Sequence, residues 1–432
     1  MKKFKDYLIP SVIASICMSM YAIIDGIFIG LKLSDIGLAA INLAWPITAL
    51  LQSLGVGLGI SSGIYISRKM AKGESDIANK SKLSAILSLA LVGLILGTIL
   101  FVFKREILIL FKAEGETLDL ATRYIRVILY GSIFQVMGCG MIPLLKNSGR
   151  IKSAFLGSIV AIVVNLGLDY LFIFTFDLGL EGAAGASVIA QAASFIACLI
   201  PYIKEIKGFN TKWECYKEIF LGGIAPFVLN YSYSFIIIIT NALCMIYVGD
   251  SAVAAYTLLS YILYIISATA QGTADAIQPL FSYHYEIKEY DKCKKMLKQC
   301  LCISLGLVII TAGILLVCTN PLASLYNLSE GSKEIYYKAV PYYFSGFLFV
   351  ALSKVLSSYF YSINKKIGAN IITLSEPLLI TPLIYLILSP LKIEGLWMGF
   401  LIIQGVLLLI GAIILLCINR KENNNGWIFN NW

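Results

Sequence analysis

Charged residues are scarce in this sequence, and that scarcity excludes an ordinary soluble protein. Asp, Glu, Lys and Arg together make up 14% of the 432 residues, and hydrophobic residues make up 59%. Soluble domains carry about 25% charged residues. There is one histidine, and the ten cysteines fall mostly in apolar stretches without metal-ligand spacing. We interpret the cysteines as reduced packing residues.

Long apolar stretches dominate the rest of the chain. A membrane-spanning helix needs about 20 apolar residues. Twelve stretches reach that length, at residues 9–31, 36–62, 83–103, 127–145, 154–176, 183–203, 219–246, 252–282, 299–318, 340–363, 368–388 and 395–418. The fold class predicted is an all-α integral membrane protein with twelve transmembrane helices.

The basic residues are distributed unevenly between the two sides of these spans. Alternate connections, starting with the N-terminus, hold 24 of the 34 lysines and arginines. Cytoplasmic loops of membrane proteins carry such an excess. Both termini are therefore predicted to be cytoplasmic. The net charge of +9 is explained by this bias and requires no nucleic-acid partner.

The two halves of the sequence resemble each other. A shift of 215 residues aligns polar and glycine positions in pairs, and a shift of 213 does so near the end of each half. The pairs include Asp35–Asp250, Gly57–Gly272, Asp76–Asp291, Glu181–Glu394 and Gln191–Gln404. We predict two pseudo-symmetric six-helix lobes, 1–203 and 219–432, joined by a cytoplasmic linker at 204–218. Such repeats are common in transporters that work by alternating access.

Two carboxylates fall at one depth in the first lobe. With a helical rise of 1.5 Å per residue, Asp25 lies ~9 Å and Asp169 ~11 Å from the outer ends of their spans. Asn42 and Ser187 come out at ~9 Å and ~6 Å, and Asn165 lies one turn from Asp169. Oxygen ligands of this kind suit a proton or a small hard cation. Acids that are only hydrogen-bonded between helices are the alternative.

Several short motifs carry a resemblance to a known family. They are Ile24-Asp25-Gly26-Ile27-Phe28-Ile29-Gly30, Leu38-Ala39-Ala40-Ile41-Asn42-Leu43-Ala44-Trp45-Pro46-Ile47, Asn165-Leu166-Gly167-Leu168-Asp169, Gly182-Ala183-Ala184-Gly185-Ala186-Ser187 and Gln278-Pro279-Leu280-Phe281-Ser282-Tyr283. In combination they resemble the multidrug and toxic compound extrusion (MATE) family over nearly the whole chain.

The resemblance implies a secondary antiporter in a bacterial cytoplasmic membrane. It implies export of amphipathic, often cationic compounds, coupled to H⁺ or Na⁺, with Asp25, Asn165 and Asp169 forming the cation site. Ser187 stands where many relatives have Thr and keeps the hydroxyl. The family's other branch carries an acid in span 7, which 222–246 lacks. We expect no cofactor, no metal beyond Na⁺ at Asp25 and Asp169, and a monomer with small-molecule and lipid partners.

A second polar layer lies in the other lobe. Asp275, Lys354 and Glu376 are each ~12–13 Å above the cytoplasmic ends of their spans. A structural ion pair in which Lys354 compensates the acids is one interpretation. A substrate or gating site with one net negative charge is the other.

Other polar and aromatic residues are candidates for a substrate cavity. These are Asn42, Trp45, Gln52, Tyr231 and Gln278; aromatic rings can stack on cationic compounds. Packing within the helices is an equally good interpretation. Gly55-x-Gly57-x-Gly59 lies inside a span, so it indicates close helix approach rather than a nucleotide loop.

Two other functions compete with drug export. A flippase for a lipid-linked precursor would need a cationic cavity, but Lys354 is outnumbered by acids. A membrane-embedded enzyme would need an acidic metal motif or a catalytic histidine, and neither is evident. Without an ATP-binding domain, transport would draw its energy from an ion gradient or a partner. The chain is therefore not expected to be an enzyme.

Overall fold

The computed structural model describes residues 2–204, 206, 210–286, 289–363 and 365–423. At some positions within these ranges, among them Asp25, the side chain lies outside the description. The α-helices are α1 Lys2–Ala71, α2 Ser75–Leu110, α3 Gly115–Tyr130, α4 Ser132–Asn147, α5 Ile151–Asp169, α6 Gly179–Ile203, α7 Trp213–Tyr247, α8 Asp250–Glu286, α9 Tyr290–Val317, α10 Thr319–Leu325, α11 Glu330–Ser362, α12 Lys366–Ser375, α13 Thr381–Leu388 and α14 Lys392–Asn423.

The described helices contain the twelve predicted spans. Nine segments are long and apolar enough to cross a membrane, and α3 with α4 forms a tenth that is bent by 65°. Two of the nine are double spans, because the backbone breaks at Ser34 (φ 52°) and Lys392 (φ 50°). The bend between α3 and α4 was not predicted; it lies at Gly131, against which Val188 packs.

The repeat is visible in the turns between helices. Positive φ angles occur at Ser34 and Lys112, and again 215 residues later at Gly249 and Asn327. A left-handed backbone costs a non-glycine residue energy and is uncommon. A positive φ at the same two places in both halves, three of the four in non-glycine residues, therefore indicates two copies of one helical pattern.

The turns before α2 and α9 share two equivalent contacts among their described residues. In the first, the amide of Glu74 donates to Lys69 O at 3.0 Å, and Lys69 Nζ donates to the Glu74 carboxylate at 2.7 Å. In the second, the amide of Glu289 donates to His284 O at 2.9 Å, and His284 Nδ1 contacts the Glu289 carboxylate at 2.6 Å. The hydrogen bond between Lys69 and Glu74 lowers the pKa of Glu74 and raises that of Lys69.

Glycines in α1 allow close packing on α4, as the sequence predicted. A Cβ at Gly63 would lie 2.6 Å from Leu144 O, and one at Gly59 would collide with Gly140 O. Gly57 points elsewhere, towards Gly223 O in α7 at 2.7 Å. Small residues at such contacts let helix backbones approach.

Two spans are interrupted by π-helical segments. Tyr170–Thr175 continues α5, and Glu376–Ile380 joins α12 to α13. π segments are rare and frequently lie at functional sites. Each of these follows or begins with a carboxylate, Asp169 in the first case and Glu376 in the second.

By its contacts the chain divides into two compact units, Asp25–Ile246 and Met1–Ile24 with Tyr247–Trp432. The helix α7 is thus grouped with α2 to α6. The lobes at 1–203 and 219–432 describe the repeat in the sequence, and their boundaries remain a prediction.

Candidate cation site

Asp169 lies at the C-terminal end of α5, directly before the π segment, and is fully buried at 0% exposure. Asn165, one turn earlier on the same face of the helix, is also at 0% exposure. A carboxylate inside a membrane span is costly unless a partner or a cation compensates its charge. The pair therefore forms a buried oxygen-rich site within the unit Asp25–Ile246.

The helix α6 contributes the next side chain. Asn165 Nδ2 donates a long hydrogen bond of 3.5 Å to Ser187 Oγ. Asn165 Oδ1 is buried and has no hydrogen-bond partner among the described residues. Buried carbonyl oxygens normally have partners, so Asn165 Oδ1 is available to a cation or to a water molecule. The structure thus places Ser187 beside Asn165, with Asp169 one turn further along α5; their joint role as a cation site stays a prediction.

The other acid of the predicted layer is Asp25. Its side chain lies outside the described residues, as do those of Asp275 and Gln278. The proximity of Asp25 and Asp169 consequently stays a prediction.

Asn42 is engaged with a residue that the sequence reasoning missed. Its Nδ2 donates to Asn241 Oδ1 at 3.1 Å, and Asn241 Nδ2 donates to the backbone oxygen of Asn42 at 3.1 Å. Both residues are buried. The reciprocal pair joins α1 to α7. An asparagine inside an apolar span was the available signal for Asn241.

The remaining cavity candidates differ in exposure. Trp45 is 37% exposed and Gln52 is half-buried. Tyr231 is half-buried and belongs to an aromatic row on α7, with ring centroids 5.8 Å from Phe227 and 5.5 Å from Phe235. These rings present a surface suited to apolar or cationic compounds.

In the other unit, Glu376 is hydrogen-bonded to one side chain. Gln404 Nε2 in α14 donates to Glu376 Oε1 at 2.6 Å, and the positive charge of Lys354 in α11 acts on the same carboxylate at longer range. Lys354 is exposed, although the depth of its position suggested burial. Position along the helix gives depth only, whereas exposure also depends on the face of the helix. In the sequence, Gln404 was identified only as the repeat counterpart of Gln191, and its contact with Glu376 was not predicted.

The sequence profile of the MatE family matches residues 10–171 and 226–386. The chain belongs to the MatE family. The profile matches twice, with starts 216 residues apart and ends 215 residues apart, so the predicted repeat is confirmed. MatE proteins are membrane transporters, and this chain is accordingly a multi-pass transporter and not an enzyme.

Relatives of this MatE chain are similar over nearly their full length. The multidrug export protein MepA of Staphylococcus aureus (strain MRSA252) is 23% identical over 422 residues, covering 96% of this chain and 93% of MepA. The protein of the same name from Staphylococcus haemolyticus (strain JCSC1435) is 21% identical over 429 residues, covering 97% and 94%.

Solved MATE structures share the fold. An inward-facing multidrug resistance MATE family transporter of the MOP superfamily matches with a TM-score of 0.86 at 20% identity, covering 95% of this chain and 96% of the other. An outward-facing structure described in the same words matches with 0.75 at 20% identity, covering 98% and 97%. The twelve-helix, two-lobe architecture is thereby confirmed for this MatE chain.

Proposed function

We propose that this protein is a cation-coupled antiporter that exports amphipathic, often cationic compounds by alternating access. The observation that carries the proposal is the fully buried Asp169 carboxylate, one helical turn from the buried Asn165, which is itself hydrogen-bonded to Ser187. H⁺ or Na⁺ bound by this site, with Asp25 as the second acid, is the coupling ion.

The physical basis is the cost of a charge in the membrane. A carboxylate at mid-span costs roughly 2.5–3.5 kcal/mol on insertion scales. A bound cation neutralises that charge. The cation-bound and cation-free forms of the protein therefore favour different conformations. A shift from 1:99 to 99:1 between two conformations needs about 5.5 kcal/mol of differential binding. Two neutralised carboxylates would supply a free energy of that size.

Substrate and location follow from the relatives. MepA is named a multidrug export protein, which supports drugs or toxic compounds as the exported substrates. The bacterial origin of these relatives supports the cytoplasmic membrane, with both termini inside. A single chain holds both repeats, and we propose that it works as a monomer.

The test is efflux of a fluorescent organic cation from proteoliposomes in which proton and sodium gradients are imposed separately. Whichever gradient drives wild-type flux identifies the coupling ion. Asp169→Asn and Asp25→Asn should each abolish gradient-driven flux, because an amide has no negative charge for a bound H⁺ or Na⁺ to neutralise.

The matched control is Asp119→Asn. Asp119 is an exposed acid paired with Arg105 on the surface at 2.8 Å, so this variant should transport as the wild type does. Gradient-driven flux that persists in Asp169→Asn, with expression and folding intact, would refute the proposed coupling site.

A further inference from the structure

Glu376 lies at a break in its span. It begins the π segment between α12 and α13, and Pro377 follows it. Proline has no N–H, so one carbonyl in the preceding turn loses its helical partner. Interrupted spans of this kind hold ion sites in many transporters. Glu376 is thus an acid placed where the backbone itself adds polarity.

Glu376 is not the repeat counterpart of Asp169. The helices α5 and α12 begin 215 residues apart, at Ile151 and Lys366, whereas the two acids are only 207 residues apart. Glu376 therefore lies eight residues, about two helical turns, nearer the connection between α11 and α12. Within the repeated six-helix pattern, a site at Glu376 would therefore occupy a different position from the Asp169 site, and an ion would reach it from a different part of its span.

Two hydrogen-bonded side-chain pairs lie along α11 and α12 between this position and the C-terminal end of α11. Tyr361 Oη donates to Asn370 Oδ1 at 2.7 Å, and the hydroxyls of Ser357 and Thr373 are 3.3 Å apart. One turn further along the same antiparallel register, Lys354 on α11 lies opposite Glu376, and the Lys354 charge acts on the carboxylate at longer range. The three facing positions are Tyr361–Asn370, Ser357–Thr373 and Lys354–Glu376. Successive positions are about one turn apart, so they define a polar seam between α11 and α12.

Two buried hydroxyls on α11 and α13 have unused hydrogen-bonding capacity. Ser358 Oγ on α11 and Thr381 Oγ1 on α13 are buried and have no hydrogen-bond partner among the described residues. Thr381 lies one π turn from Glu376, since its amide donates to Glu376 O. Buried polar groups of this kind typically bind internal water. The seam therefore has the side chains needed for a hydrated path.

We propose that Glu376, with Gln404 and Lys354, is a second proton-binding site of this transporter, reached along the polar seam between α11 and α12. The carboxylate takes up one proton from water at the 363–365 connection and becomes neutral. Gln404 remains hydrogen-bonded to the acid, and Lys354 loses its counter-charge. A narrow seam of hydroxyls admits a proton and excludes an organic cation.

Groups from three elements act on Glu376. Gln404 on α14 donates to its carboxylate, Thr381 at the start of α13 donates its backbone N–H to its carbonyl oxygen, and Lys354 on α11 supplies a positive charge. Among the described residues, Lys354 is the charged group that acts on this carboxylate. The ionisation of Glu376 should therefore respond mainly to Lys354.

The test is infrared spectroscopy of the full-length protein in lipid, following the carbonyl band of protonated carboxylic acids as the pH is varied. Glu376→Gln should remove one titrating band. Lys354→Met should move the midpoint of that band by about 1–3 pH units to higher pH, because a nearby positive charge favours the ionised form. Glu330→Gln is the control: the Glu330 side chain is 90% exposed, so this change should leave the band that Glu376→Gln removes in place and should not change its response to Lys354→Met.

Transport gives the second readout. The proposal rests on the proposed transport function, yet the two can fail separately. Glu376→Gln should alter the pH profile of efflux, whereas Asp169→Asn should abolish gradient-driven efflux. An unchanged set of infrared bands in Glu376→Gln would overturn the second site and leave the Asp169 proposal intact. If Glu376→Gln does not fold, an unmoved midpoint in Lys354→Met overturns it equally, because Lys354 is exposed.

Discussion

At the scale of single residues, Asn42 and Asn241 show that an amide side chain in a membrane span can serve to hydrogen-bond two helices together. Each donates one hydrogen bond to the other residue, at 3.1 Å in both directions. Both lie in the unit Asp25–Ile246 and both are buried. Because the Asn42 side chain donates to Asn241, it has fewer free hydrogen-bonding groups for a substrate than the sequence suggested.

A double-mutant cycle measures that engagement. Asn42→Ala and Asn241→Ala should each lower the stability of the protein in lipid, and the double variant should lose less than the sum. Couplings between polar side chains in membrane proteins average about 0.6 kcal/mol and reach about 1.7 kcal/mol. The measurement is unfolding in mixed micelles. Strict additivity of the two losses would contradict a structural pair.

At the scale of helices and turns, close packing depends on particular glycines. The Gly59 Cα faces the Gly140 backbone oxygen so closely that an added Cβ would collide with it. Gly306 in α9 is a matched contrast, because nothing lies within 4 Å of the Cβ it would acquire. Both residues lie inside spanning helices.

We predict opposite results for alanine at these two positions. Gly59→Ala should destabilise the protein by about 1–3 kcal/mol, since overpacking displaces backbone. Gly306→Ala should leave the stability unchanged or raise it by up to about 1 kcal/mol, through helix propensity. Thermal unfolding in detergent distinguishes them. Equal melting temperatures for both variants would show that α1 does not approach α4 in this way.

The turn before α9 should make stability depend on pH. The hydrogen bond from Lys292, and next that with His284, hold the pKa of the Glu289 carboxyl below its ordinary value. A lowered pKa contributes stability above the unfolded-state pKa, and the contribution is lost as the pH falls through the folded-state pKa. Glu289→Gln should therefore be less stable than the wild type at neutral pH and equal to it in strong acid.

The comparison variant for that turn is Glu74→Gln in the equivalent turn before α2. Lys69 replaces His284 there, and the pKa of Glu74 is lowered in the same direction. Both variants should show the same small loss at neutral pH, by calorimetry over a pH series. A loss that grows on acidification would contradict the assignment of the ionised carboxylate as the stabilising form.

At the scale of the whole molecule, the apolar spans and the internal repeat of the sequence predict most of the fold. They do not predict the direction in which individual side chains point. The paired positions such as Asp76 and Asp291 predicted the repeat, which the two matches of the MatE profile confirm. The exposure of Lys354 and the partner of Asn42 could not be predicted, because both depend on the rotation of a helix about its axis. Glu376 was located by its depth, while the π break beside it depends on local backbone geometry.

The repeat leads to a final prediction about assembly. A chain cut within the 204–212 connection and expressed as two pieces should regain transport, because the cut severs no span and each piece holds one copy of the six-helix pattern. Exposed connections tolerate such cuts, whereas packed helices do not. A cut between Gly138 and Cys139 is the control, and it should abolish transport. It lies inside α4, where Gly138 packs against Gln191 of α6.

Co-expression and efflux of a fluorescent cation test this directly. The pieces cut at the connection should co-purify, because the packing of Gly57 on Gly223 and the mutual bonds between Asn42 and Asn241 then join one piece to the other. Asn241→Ala in the second piece should weaken that association, while the same change in the intact chain should cost only stability. Pieces that co-purify equally well without Asn241 would show that other contacts hold α7 against the first six helices.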